Sequence, residues 1–180
     1  YGQAPCKAMF ILTDVSGGYN GKTFLMNILV TCLGQYAVAS DFRMIMKNSR
    51  STNASGHDDA GFQLKLKRLS AMDESQAQKI DIKAQTSGST LKKKHRQCGT
   101  KTGPGDYFAD TVKHMLATNE NDMPEFNTLD EAELARIIMM RFRAKFVDNP
   151  EEYKRDHPDS KHVFPKDGTL AKRDFRIDMM

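Results

Sequence analysis

The segment Ala8-Met9-Phe10-Ile11-Leu12-Thr13-Asp14-Val15-Ser16-Gly17-Gly18-Tyr19-Asn20-Gly21-Lys22-Thr23 passes from an apolar run, through a glycine-rich turn, into the start of a helical pattern. Residues 8–13 are continuously apolar over strand length, as expected of a strand covered on both faces in a parallel sheet. Residues 14–21 break that run. Residues 22–33 then carry Phe24, Leu25, Ile28, Leu29 and Cys32 at helical spacing, with Gly34 as a C-terminal stop. Strand, glycine loop and helix in this order put Ser16, Gly17, Gly18, Tyr19, Asn20, Gly21, Lys22 and Thr23 where a phosphate-binding loop must lie. Glycines let backbone N–H groups curl around phosphate oxygens. Lys22 supplies a point charge for the β and γ phosphates, and the Thr23 hydroxyl is a ligand for Mg²⁺. An ordinary glycine turn before a helix is the plainer alternative, against which Gly21-Lys22-Thr23 in this context weighs heavily. Ser16 stands where such loops carry their first glycine. Lys22 is expected to face solvent until phosphate arrives, so that replacing it leaves the fold intact.

Working outward, residues 64–72 are a second strand candidate, ending in Leu69-Ser70-Ala71-Met72 and then the acids Asp73 and Glu74. Adjacent acids at the C-terminal end of a sheet strand suit a Walker B site. There Asp73 holds Mg²⁺, directly or through water, and Glu74 orients and polarises the attacking water. Taken alone, an acidic pair after a strand is more often a solvated loop, and it is the phosphate loop upstream that reverses those odds. Residues 112–118 form a third strand candidate ending at Asn119, whose amide suits a place beside the γ-phosphate; by itself it is a turn residue. Residues 76–85 fit a short helix. Residues 128–140 carry apolar side chains at helical spacing behind acids in the first turn, so a helix is expected there, with Met139 and Met140 as core filler. The pattern as a whole predicts an α/β domain with a mostly parallel central sheet.

At 180 residues and 39% hydrophobic, the chain is large and apolar enough for one domain with a real core. The net charge of +4 is too small to name a partner, but its distribution is informative. Lys92, Lys93, Lys94, His95, Arg96 and Lys101 stand between residues 91 and 101 without an acidic neighbour, in a glycine-punctuated stretch, 87–105, whose ends are expected to pair as a hairpin. Cys6, Cys32 and Cys98 are odd in number and in no metal-ligand spacing, which points to a reducing, intracellular compartment. No apolar stretch reaches membrane-span length, so no membrane partner is expected. The chain is read as a piece of a longer protein: an ATPase core over 1–146, and a polar, irregular segment over 147–180 leading into a further C-terminal part.

These motifs, in this order, resemble the superfamily 3 helicases, specifically the poxvirus-type primase-helicases of large DNA viruses and phages. Asn20-Gly21-Lys22-Thr23 matches the family's loop, and Leu33-Gly34-Gln35-Tyr36-Ala37 follows it. His57-Asp58-Asp59-Ala60-Gly61 looks like the viral branch. Asp73-Glu74 resembles the Walker B pair, Leu116-Ala117-Thr118-Asn119 the sensor strand, and Asp130, Ala132, Arg136, Phe142 and Phe146 occupy further family positions. The likeness spans about residues 8 to 150. The chain departs from the family where Ser87-Gly88-Ser89-Thr90 replaces Thr-Gly-Gly-Asp and Arg141-Phe142 replaces Pro-Phe.

The resemblance implies an AAA+-like P-loop NTPase that binds ATP and Mg²⁺ and works as a homo-oligomeric ring, a hexamer, translocating on single-stranded DNA. Lys22, Glu74, Asn119 and Arg136 would act in hydrolysis, with Thr23 and Asp73 at the metal. Arg136, on the predicted helix, would be an arginine finger acting in trans; a local helix pair with Glu133 is the alternative. Lys92, Lys93, Lys94, His95 and Arg96 would lie on the hairpin that grips DNA phosphates, and a solvated basic loop is the rival reading of them. A primase domain in the same full-length chain is implied, in the cytoplasm or nucleus of a host cell if the source is viral. Two other functions remain: another P-loop NTPase, such as a nucleotide kinase or GTPase, or a ring subunit that binds nucleotide without hydrolysing it. The chain has no Asn-Lys-x-Asp guanine-reading motif, and it retains Lys22, Asp73 and Glu74.

Overall fold

A computed structural model describes residues 8–15, 17–45, 63–73, 80, 95–98, 106–109, 111–126 and 131–171. Its centre is a five-stranded sheet in which every neighbouring pair is parallel. The strands are β1 (Met9–Asp14), β2 (Ala37–Ala39), β3 (Leu69–Asp73), β6 (Lys113–Ala117) and β7 (Ile137–Phe142), in the order β2-β3-β6-β1-β7. The α/β class expected from the apolar runs is therefore the class found.

Alternation along the strands divides the core in two. Met9 and Ile11 of β1 join Met72, Leu116, Phe42 and Ile45 on one face of the sheet. Leu12 joins Ala71, Met115 and Ala117 on the other, beneath α1 (Lys22–Leu33). Burial on both faces is what permits strands without a polar side. The helix occupies the predicted residues, but it turns a different face inward. Met26 is its buried apolar residue, Leu29, Val30 and Leu33 pack beside it, and Cys32 is exposed. The core-packing set at 26, 29, 30 and 33 keeps helical spacing, so the period was legible and its phase was not.

Four expectations change. Residues 64–67 form a turn, with Leu66 left-handed at φ 62° and 76% exposed, so β3 begins only at Leu69. The helix expected over 128–140 is confined to α2 (Glu131–Leu134), and Ile137 to Phe142 run instead as β7. Apolar residues in succession satisfy either period, and here pairing decides: six registered partners run from Met9↔Ile137 to Asp14↔Phe142. Arg136 accordingly lies in the turn before β7, its N–H donating to the Glu133 carbonyl and its own carbonyl accepting from Met9. Met139 and Met140 are not core filler, for on this edge strand they are 43% and 37% exposed.

Residues 147–171 are not the irregular segment expected. Strand β8 (Lys145–Val147) pairs in parallel with β9 (Val163–Pro165), and α3 (Pro150–Asp156) lies between them, capped by the Asn149 side chain and with Pro150 at its first position. An antiparallel pair has one strand inside the 87–105 stretch and the other just after it: β4 (His95–Cys98) pairs with β5 (Asp106–Ala109), and the rest of the stretch, with the ends expected to pair, lies outside the described residues. The His57 to Gly61 patch lies outside the described residues, as do all of the residues 76–85 expected as a helix except Ile80. Among the described residues no helix is long and apolar enough to cross a membrane.

Candidate active site

Strands β3 and β6 end level with one another, and β1 runs two residues further in the same direction. Leu12 and Asp73 both register with Ala117, so the chain leaves β1, β3 and β6 at one edge of the sheet, the C-terminal edge. Ligands of open parallel sheets bind in the crevice outside that edge, at the point where successive connections leave in opposite directions. Here the chain leaves β1 for β2 at one border of the sheet, while the later strands β6 and β7 come to flank β1 itself. The loop from Gly17 to Gly21 lies at this point.

The loop is bent by backbone torsions that suit glycine. Gly17, Gly18 and Gly21 have φ of 65°, 32° and 84°, and Gly21 passes the chain into α1. A Cβ at Gly21 would also stand 3.6 Å from the Phe146 ring. Tyr19 takes φ 55° without being glycine, a conformation that costs roughly 1–2 kcal/mol and needs outside support. Strand β8 supplies it. The Phe146 N–H donates to the Tyr19 carbonyl at 2.8 Å, and Lys145 Nζ donates to the carbonyls of Gly17 and Gly18 at 2.5 and 3.1 Å.

On the inner side the loop is held by Asp14, which is 2% exposed. Its Oδ2 accepts from Lys22 Nζ at 2.5 Å and from Asn20 Nδ2 at 2.9 Å, and its Oδ1 accepts from the Glu120 backbone N–H at 3.2 Å. Lys22 Nζ also donates to Asn119 Oδ1 at 3.1 Å. Lys22 is thus not the solvent-facing side chain expected of it: only 7% exposed, it is paired with a buried carboxylate.

Burial by itself would push the Asp14 carboxyl up. The bonds from Lys22, Glu120 and Asn20, together with the ammonium charge, outweigh burial and hold the group below its ordinary 3.8. Stability from this arrangement is therefore complete above an unfolded-state value of about pH 4 and is lost as the pH falls through the lower native value. Denaturant midpoints followed from about pH 6 to about pH 2 are expected to fall more steeply for the parent protein than for Asp14→Asn, and equal slopes would show that folding does not depress this carboxyl.

Asp73 and Thr23 meet at the mouth of the site, Thr23 Oγ1 donating to Asp73 Oδ2 at 3.2 Å. A hydroxyl and a carboxylate side by side, both exposed, are hard oxygen donors of the kind Mg²⁺ takes alongside phosphate oxygens and water. Asn119 begins a short 3-10 turn, Glu120–Asp122, which the Thr118 hydroxyl steadies by donating to the Asp122 carbonyl at 3.0 Å. The loop, Thr23, Asp73, Thr118, Asn119 and Asp122 enclose an open cleft of about 700 Å³.

Of the residues singled out in the sequence, the fold gathers Gly17, Gly18, Tyr19, Asn20, Gly21, Lys22, Thr23, Asp73 and Asn119 at one cleft or its rim. It does not bring Arg136 there. Ser16, Glu74, Lys92, Lys93, Lys94 and Asp130 lie outside the described residues, and His95 and Arg96 sit on β4, opposite Ala109 and Phe108. Sequence reasoning missed Asp14 and Lys145. The one signal for Asp14 was an acid wedged between a buried strand and a glycine loop; nothing local marked Lys145, which follows the loop by more than a hundred residues.

The described chain is an α/β protein whose parallel sheet carries a glycine loop and a buried lysine at its C-terminal edge. No protein-family model matches it, and no curated protein matches it in sequence. Solved structures do. The apo A form of the NrS-1 C-terminal region superposes with a TM-score of 0.51 at 12% identity, over 76% of this chain and 29% of that one. A second structure, of residues 305–718 of the same region, gives 0.50 at 11%, over 76% and 28%. Likeness at that identity carries the fold alone, and this chain spans less than a third of the chains it matches.

Proposed function

We propose that this chain is the ATP-hydrolysing motor of a DNA helicase, an AAA+-like P-loop NTPase of the superfamily 3 kind, acting with Mg²⁺ in a homo-oligomeric ring, a hexamer, on single-stranded DNA. The observation that carries the reading is the convergence of Lys22, Thr23, Asp73 and Asn119, from three separate strand ends, within hydrogen-bonding reach at one cleft. A glycine turn of merely structural purpose would not need a lysine drawn inward against a sensor-strand asparagine. In the proposed site, loop N–H groups and the free third N–H of Lys22 take phosphate oxygens. Thr23 and Asp73 hold Mg²⁺, which when bound spreads charge away from the transferring phosphoryl group. Asn119 orients the attacking water with Glu74, the residue next to Asp73. Arg136 is proposed to serve the site of the neighbouring subunit, consistent with its absence from its own cleft.

DNA contact is assigned to the β4–β5 hairpin. Its register sets Arg96 opposite Phe108 and Gln97 opposite Tyr107. Basic and aromatic residues together suit a sequence-tolerant single-strand groove.

Phosphate release from ATP, measured with and without single-stranded DNA, tests the proposal. Release stimulated by DNA is expected. Release indifferent to DNA would favour a nucleotide-kinase-like P-loop protein, and nucleotide binding without release would favour a non-hydrolysing ring subunit. Replacing Lys92, Lys93 and Lys94 together by Ala is expected to weaken single-stranded DNA binding for all sequences alike and to reduce its log-log salt slope by about 2. Fluorescence anisotropy at several salt concentrations gives that slope, and an unchanged value would return the stretch to a solvated surface.

A further inference from the structure

We propose that Asp14 is a built-in counter-ion to Lys22, which makes nucleotide binding at this cleft, and not only hydrolysis, dependent on a divalent cation. The inference rests on the nucleotide-site reading above. Lys22 is the single Lys or Arg among the described residues lining the cleft. Its ammonium stands 2.5 Å from Asp14 Oδ2, with side chains 8% and 1% exposed, so lysine charge and carboxylate charge cancel at short range and away from solvent. Asp14 cannot drift off when a ligand arrives. It is fixed through Oδ1 by the Glu120 N–H and through Oδ2 by Asn20, and the same contacts keep it ionised. Lys145, the other lysine at the loop, is turned to the carbonyls of Gly17 and Gly18 and is not part of the cleft lining.

A polyphosphate tail entering the cleft therefore meets N–H dipoles and a neutralised lysine, not a net cation. The N-terminus of α1 contributes only a fractional positive charge. The missing charge has to come with the nucleotide, as a divalent cation received by Thr23 and Asp73 at the mouth. Asp14 is thus a positioning residue: it aims Lys22 at the cleft and sets how strongly the lysine attracts phosphate, without itself touching the ligand.

The test measures binding of a fluorescent ATP analogue to the purified protein, in Mg²⁺ and in excess EDTA. For the parent, affinity is expected to fall on the order of a hundredfold in EDTA. For Asp14→Asn, affinity in EDTA is expected to rise on the order of tenfold above the parent in EDTA, because one elementary charge at this range is worth about that much. A residue of merely structural importance would weaken binding in both conditions and could not produce a gain. Should Asp14→Asn fail to fold, Asp14→Ser keeps a hydroxyl acceptor without the charge and is expected to show the same gain. Equal parent affinity in Mg²⁺ and EDTA, or no gain in EDTA from either folded variant, overturns the counter-ion and leaves the nucleotide site standing. A parent that binds no nucleotide even in Mg²⁺ overturns both.

Discussion

Lys22→Ala is expected to abolish ATP hydrolysis and also to lower the stability of the protein. Two separate consequences follow from where the ammonium sits. Towards the cleft, the side chain is the proposed partner of the β and γ phosphates, and its loss removes the positioned donor on which their charge is stabilised. Towards the core, it is the ion-pair partner of Asp14, whose side chain is 1% exposed. Removing one partner of a buried pair costs about 3–5 kcal/mol, since it strands the other charge. The lower end applies, because Asp14 keeps its bonds from Asn20 and Glu120 and can take up a proton. For a chain of this size about 3 kcal/mol corresponds to a melting temperature lowered by roughly 6–12 °C. Calorimetry and phosphate release on the same preparation measure both effects. The double variant Asp14→Asn with Lys22→Met, in which neither charge remains, is expected to recover most of the stability and none of the hydrolysis. Hydrolysis at the parent rate by Lys22→Ala would sink the site, and an unchanged melting temperature would show that the pair adds nothing to the fold.

Asp73→Ala is expected to separate the two quantities, lowering hydrolysis while leaving stability nearly unchanged. Asp73 ends β3 with its side chain exposed, bonded to the Thr23 hydroxyl at 3.2 Å, so its removal is expected to change stability by no more than about 0.5 kcal/mol. Its proposed work is on the metal. Losing a carboxylate that fixes Mg²⁺ forfeits several kcal/mol of charge stabilisation in the transition state, so turnover is expected to fall by roughly a hundredfold to a thousandfold. Steady-state hydrolysis titrated with Mg²⁺ is the measurement. The variant is expected to need more Mg²⁺ and to remain slow at saturation; parent turnover at parent Mg²⁺ would remove Asp73 from the metal site.

Much of the cleft was legible because its parts are local. An apolar run wide enough for a strand, glycines where the backbone must bend through positive φ, and a helix opening on Lys22 and Thr23 lie within one short segment. Asp73 and Asn119 were found by the same logic, as polar residues at the ends of buried runs. The phase of α1 was misjudged because Met26 is buried and Leu29, Val30 and Leu33 pack against the core beside it, while Phe24, Leu25 and Ile28, equally apolar, lie outside that cluster and Cys32 is exposed. Strand β7 was read as helix because Ile137 to Phe142 satisfies both periods, and only the open edge of β1 settles which hydrogen bonds those residues make.

The chain by itself thus determined the strand, glycine loop and helix at this edge of the sheet, since backbone torsion and apolar spacing act between near neighbours. Tertiary structure alone decided what grips that loop: Asp14 beneath it, reached by Lys22 across the glycine turn, and Lys145 and Phe146 outside it, brought to it by the strand that follows β7. Contacts of that kind leave no period in a sequence, because an ion pair or a backbone bond between distant segments exists only once packing has carried both ends to the same place.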